Sequence, residues 1–173
     1  RRDYRYFPPM KYRKLILYIS MSLDGFIATT EDGLDWLSVV EREGEDYGYA
    51  AFKETVDTYI VGRRTYEVVK GLCGGQFPPA DRFQCYVLTR REREIANGVI
   101  FYNGSVPDGE GEVVRLLMAE DLIDEYIISV IPTVLGEGKR LFLGGVNGFG
   151  LECTDVERFE SGLVQLRYQR PRP

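Results

Sequence analysis

The chain has 173 residues, 44% apolar and 13% aromatic, a composition that belongs to a folded globule and excludes a disordered chain. Its net charge of −5 and pI near 5.0 argue against a nucleic-acid partner, which calls for a basic face. It has no histidine, so the commonest general base and every Ser-His or Cys-His nucleophile are excluded.

The opening stretch, residues 1–13, holds Arg1-Arg-Asp-Tyr-Arg-Tyr-Phe-Pro-Pro9 ahead of Met10 and is expected to be a leader or added segment. A single domain is expected over 14–170. Leu15 to Ser20 is a near-continuous apolar run, as a central strand covered on both faces requires. Asp24-Gly25 then marks a turn at that strand's carboxyl end. Tyr49 to Thr55 fits a short helix. Tyr59-Ile60-Val61 reads as a buried strand, followed by Gly62 and a helix from Thr65 to Lys70. Gly62 lets the backbone turn tightly and lets another group approach it. The helix N-terminus offers free N–H groups and the positive end of a dipole, and Arg63, Arg64 and Thr65 add donors there. That combination suits a phosphate; the plainer alternative is a strand-to-helix turn with two solvated arginines.

Gln84 to Leu88 and Val99 to Tyr102 read as strands, with Arg90 to Asn97 as polar linkage. In Asp108-Gly-Glu-Gly-Glu112, the backbone at Gly109 and Gly111 would suit a pyrophosphate, although Glu110 and Glu112 repel one. A loop with a helix cap is the other reading. The apolar spacing of Glu112 to Glu120 is helical and leads into a strand at Tyr126 to Val130. Leu151 to Phe159 and Leu163 to Tyr168, around Ser161-Gly162, suggest a hairpin. The order predicts an α/β fold, mostly parallel, with an antiparallel C-terminal addition.

Ligands of such sheets gather outside the carboxyl ends of the strands. That rule brings together 20–27, Gly62 to Thr65, Thr89-Arg90 and Pro132 to Lys139. Two arginine-bearing strand ends suit a 2′-phosphate on an adenosine. With no clear proton-transfer set, the hard step belongs to a cofactor. Cys73, Cys85 and Cys153 lack metal spacing and read as reduced thiols of a cytosolic protein, so no metal site is expected. No apolar run approaches the ~18 residues of a membrane span, and no signal peptide is visible.

Five segments carry a resemblance. They are Tyr18-Ile-Ser-Met-Ser-Leu-Asp-Gly-Phe-Ile-Ala28, Val61-Gly-Arg-Arg-Thr-Tyr66, Val87-Leu-Thr-Arg90, Leu122-Ile-Asp-Glu125 and Ile131-Pro-Thr-Val-Leu-Gly-Glu-Gly-Lys-Arg-Leu-Phe142. In this order they resemble the dihydrofolate-reductase-like superfamily. The closer likeness is to its riboflavin-biosynthesis reductase branch, the C-terminal domain of the bifunctional deaminase-reductase, in its small stand-alone bacterial form. The resemblance implies a three-layer fold and a cytoplasmic, homodimeric, NADPH-dependent oxidoreductase. The implied reaction is hydride transfer of the 5-amino-6-(5-phosphoribosylamino)uracil reductase type. Carried over, Arg63 and Arg90 would face the adenosine 2′-phosphate. Thr65 and the Gly62 backbone would hold the pyrophosphate, with Thr89 beside the adenine ribose. Ser22, Gly25, Phe26 and Ile27 would lie along the nicotinamide, and Gly136 and Gly138 would shape the pocket where cofactor and substrate meet. Asp24 is the family-matched acid near the hydride path, as proton donor or as a turn-forming residue. Asp46 stands roughly where dihydrofolate reductases keep their pteridine-binding carboxylate, and Lys139-Arg140 is the candidate for a phosphoribosyl group.

Two other functions stay open. A pterin or dihydrofolate reductase would need Asp46 or Glu54 as a buried carboxylate, and a nucleotide-binding module without turnover would fit the Gly109-Glu-Gly111 departure from consecutive glycines. One connection is also too short. A parallel crossover takes about 10–12 residues or more, and Asn103 to Asp108 is shorter. A helix and a strand of the family pattern have therefore either been deleted, with rearrangement of the sheet, or belong to a further segment between Tyr102 and Gly109, which is the expectation favoured here.

Overall fold

In a computed structural model, the described residues are 13–90, 94–96, 98–103 and 112–171. The opening residues 1–12, and Gly109 and Gly111, lie outside them. The strands form two four-stranded sheets and a small ribbon. In the first sheet, β1 (Ile16–Ser22) pairs in parallel with β7 (Glu125–Ile131), and β7 pairs antiparallel with β10 (Val164–Gln169). The order ends at β9 (Glu152–Arg158), antiparallel to β10. In the second sheet, β3 (Thr58–Gly62), β4 (Gln84–Thr89) and β6 (Val99–Asn103) run parallel, and β5 (Glu94–Ala96) closes the edge antiparallel to β6. The ribbon joins β2 (Phe26–Ala28) to β8 (Lys139–Arg140). Each sheet thus has parallel pairing at one end, at β1 or β3, and antiparallel pairing at the other, at β9 or β5.

Alternation along β1 explains its two environments. Leu17, Ile19 and Met21 pack into a core with Ile123, Tyr126, Ile128 and Leu141, where Val114, Leu117 and Met118 of α3 (Glu112–Ala119) also pack. Tyr18, Ser20 and Ser22 share the opposite face, opposite Ile127, Ser129 and Ile131 in the register of β7. The second sheet buries Cys85, Val87, Val99 and Phe101 against Tyr66 of α2 (Arg63–Leu72). Two short helical elements cover the polar face of β1: a 3₁₀ turn at Asp35–Val40 and α1 (Tyr49–Lys53).

Several sequence expectations are corrected. Among the described residues β1 has a strand on one side and ends its sheet, and every residue from Ile16 to Met21 is only half-buried. β3 likewise ends its own sheet among the described residues, and Ile60 is 38% exposed rather than buried. Helix α2 starts at Arg63, two residues before the expected Thr65, because Gly62 already serves as the extended N-cap. The polar linkage after Arg90 contains β5, whose alternation is too short to register as a strand. The C-terminal hairpin forms where expected, but all seven residues of β9 are exposed.

Candidate functional site

The carboxyl ends of β3 and β4 lie side by side. Their parallel register sets Gly62 opposite Leu88, so Arg63 begins where Thr89 and Arg90 leave the neighbouring strand. Thr89 is buried and Arg90 exposed. Gly62, the N-cap of helix α2, brings no side chain to the helix N-terminus, where the dipole is positive. Arg64 and Thr65 are exposed on the same first turn.

Gly62 is needed for space rather than for its dihedral angles. Its φ of −73° suits any residue, but a Cβ there would stand 3.2 Å from Val113 Cγ2. The group that approaches this glycine is α3. Arg63 is already engaged: its Nε donates to Glu67 Oε1 at 2.7 Å, and its guanidinium lies 4.9 Å from the Phe101 ring centroid. Arg64 pairs with Asp32, which also accepts from Lys139 Nζ at 2.5 Å.

The loop after β1 is tied to the loop after β7 through Asp24. Ser22 Oγ donates to Asp24 Oδ1 at 2.6 Å, and the backbone N–H groups of Leu135 and Gly136 donate to its two oxygens at 3.1 and 2.7 Å. Ser22 is fully buried, and its Oγ also accepts from the Phe26 N–H at 2.9 Å. These donors, Ser22 first, hold the Asp24 carboxyl down at about 2. Asp24 is therefore an ionised strut between two loops and carries no proton to give near neutral pH. Gly25 and Ile27 sit in this pinned loop, and Phe26 is buried beneath it. Gly138 holds φ +148°, and a Cβ there would overlap the Ala28 carbonyl, so only glycine lets β8 lie against β2.

Asp46 does not reach a pocket as a buried carboxylate. It is exposed, and its two oxygens accept from the Gly48 and Ala50 N–H groups at 3.0 and 2.9 Å, capping α1. Glu54 is exposed and paired with Arg82 at 2.6 Å. Sequence reasoning missed the polar array beside them. Gln165 is 1% exposed; its Nε2 donates to Ser129 Oγ at 3.3 Å, and its Oε1 accepts from Arg167 at 2.9 Å. Tyr18 stacks on Phe52 at 4.4 Å, and burial pushes its hydroxyl pKa up. The signal available in the sequence was the run of polar residues at alternate positions of β10, Gln165 and Arg167. On the same face lies a cavity of about 250 Å³ lined by Ser20, Leu37, Glu41, Glu45, Tyr47 and Ile131 among others. A second, of about 440 Å³, is lined by Thr30, Gly138, Lys139, Arg140 and Leu143.

No family model matches the chain. The dihydrofolate reductase of Enterococcus faecalis, solved with NADP(H), superposes with a TM-score of 0.58 at 18% identity over 91% of this chain and 96% of its own, which establishes the class of fold. A protein of Shewanella sp. PV-4, named provisionally for riboflavin biosynthesis, superposes at 0.79 with 30% identity, over 91% of this chain and 98% of that one. The uncharacterised YwjB protein of Bacillus subtilis strain 168 is 41% identical across 91% of this chain and 98% of its own length. The chain belongs to their family, the stand-alone riboflavin-biosynthesis-reductase-like proteins of the dihydrofolate-reductase fold.

Proposed function

We propose that this protein is a cytoplasmic NADPH-dependent reductase of the riboflavin-biosynthesis type, acting on a ribosylamino-pyrimidine or a related ring. The observation that carries the reading is the parallel register of β3 and β4, which sets Arg63 and the α2 N-terminus beside Thr89 and Arg90. That donor set suits NADPH: N–H groups and Thr65 for a pyrophosphate, guanidinium groups for a 2′-phosphate. Bound there, the cofactor would supply the hydride. The chain's own part is to bind, orient and exclude water. Ser22 and Asp24 fix the loop of Gly25, Phe26 and Ile27 against Leu135 and Gly136, so that this wall is preorganised. The proton comes from water, since Asp24 is held ionised.

A pterin reductase is the weaker reading, because Asp46 and Glu54 are both exposed and already bonded. We also propose a symmetric homodimer built on the C-terminal hairpin, since among the described residues β9 ends its sheet, with Val156 57% exposed. The fluorescence of NADPH on mixing, followed by a screen of ribosylamino-pyrimidines for NADPH consumption, tests the function. Absence of any NADPH signal sinks it.

A further inference from the structure

Both arginines that open α2 are held by carboxylates. Arg63 pairs with Glu67 of its own helix, whereas Arg64 pairs with Asp32, which comes from the loop between β2 and the 3₁₀ turn. Asp32 therefore reaches from the β2–β8 ribbon to the helix that follows β3. Its loop is preformed. Thr29 N–H donates to Gly33 C=O at 3.1 Å, Asp32 N–H to Thr29 C=O at 3.1 Å, and Gly33 N–H to Thr29 Oγ1 at 2.8 Å. Asp32 itself holds φ +65°, a left-handed conformation that aspartate, asparagine and glycine accept more readily than other residues.

The two contacts of this carboxylate differ. Lys139 Nζ donates to Oδ1 at 2.5 Å, with 21% of each side chain exposed. Arg64 meets Oδ2 with its own side chain 59% exposed. The exposed pair is the weaker of the two and the more readily screened. An arriving phosphate group thus takes Arg64 at small cost, while Asp32 keeps Lys139. The other arrangement, Asp32 and a phosphate sharing one guanidinium, would set like charges side by side.

We propose that Asp32 is an internal competitor for phosphate groups drawn to the α2 N-terminus. Its carboxylate occupies Arg64 in the free protein and passes wholly to Lys139 when a pyrophosphate binds. Assigning that pyrophosphate to NADPH rests on the reductase reading; the competition itself does not.

Calorimetric titration of NADPH, and of inorganic pyrophosphate, into the unaltered chain, Asp32→Asn and Asp32→Gly gives the test. Both replacements accept the left-handed backbone, and a thermal melt of each confirms that it is folded. Each variant should bind either probe about fivefold tighter at low salt, and the gain should shrink below about twofold near 0.5 M KCl, because the pair it removes is exposed. In an Arg64→Gln background the same substitutions should gain less than about twofold, since the contested group is gone. Unchanged or weaker binding by the folded Asp32 variants overturns the inference, and so does an equal gain with and without Arg64. If NADPH binds all the proteins alike, the competition falls and the reductase reading stands. If pyrophosphate shows the Asp32 effect and NADPH does not bind, the reductase reading fails and the competition stands. Binding of neither probe to any of them removes both.

Discussion

Arg63 is held before any ligand arrives. Its contacts are an exposed carboxylate one turn along α2 and the face of Phe101. The aromatic contact fixes the guanidinium plane, while Glu67 competes for its N–H groups. Removing the guanidinium, Arg63→Ala, should cost about 1.5–3 kcal/mol of NADPH affinity and little of NADH affinity. Titration with both cofactors checks this, and an unchanged preference removes Arg63 from the 2′-phosphate. Removing the competitor should act in the opposite direction. Glu67→Ala forfeits an exposed i,i+4 pair, about 0.3–0.5 kcal/mol, and should tighten NADPH about twofold. Asp24 sets a pH dependence whose sign is fixed. Its carboxyl falls from 3.8 to about 2 on folding, so its contribution is full above pH 4 and is lost as pH falls toward 2. Asp24→Asn keeps one acceptor but turns an amide toward the Leu135 or Gly136 N–H. The melting-temperature gap between the two proteins should therefore be wide at pH 6 and close across that acidic window.

The β2–β8 ribbon has only five residues, yet it carries the loop after β1 and the approach of Gly138 to Ala28. Gly138→Ala combines an unfavourable φ with overlap on a backbone oxygen, and should cost about 1–3 kcal/mol or more in chemical denaturation. Gly62→Ala, at an ordinary φ and against a movable Val113 methyl, should cost visibly less. At the other end of the fold, Val156→Lys on β9 should hold the protein at its 19.8 kDa monomer mass in light scattering where the unaltered chain gives twice that. Most elements were legible because their patterns are local: the β-branched run before Gly62, the helical spacing of 112–120, the Ser161-Gly162 turn. The ribbon was not legible, since its strands have three and two residues and exist through a pairing more than a hundred positions apart. The same holds for the site. Arg63 and Arg90 were readable as strand ends, whereas the role of Asp24 depends on two N–H groups from a distant loop, and Asp46 lies at an exposed cap that no spacing rule distinguishes from a pocket.

Taken whole, the molecule is two half-sheets that end facing the same pair of helices. On one side Tyr49 of α1 meets Tyr18 of β1 at a ring-centroid distance of 5.5 Å and lies beside Tyr59 of β3; on the other α3 packs Val113 at Gly62 and Val114, Leu117 and Met118 under β1. Neither β1 nor β3 has a strand on that flank among the described residues, although the β1 sequence is that of a central strand. About 157 residues of this chain, 91% of 173, align with YwjB along a stretch of 175. The relative thus has residues for which this chain has no counterpart. A strand seated between β1 and β3, with its crossover, is the expected content of that difference, and the short link after Asn103 is its expected place. Intact-mass measurement of the natural protein checks it: a value near 19.8 kDa means a true deletion, and a larger one means an additional segment. If the chain is as short as it stands, the described residues fasten the two halves only through α1 and α3, helices of five and eight residues, and the exposed pairs Arg64–Asp32 and Arg13–Asp57. They would then part before either unravels. Amide exchange should fall into two blocks with a shared fast opening, and gentle warming should zip molecules together edge to edge, giving fibrils well below the temperature at which the helices melt.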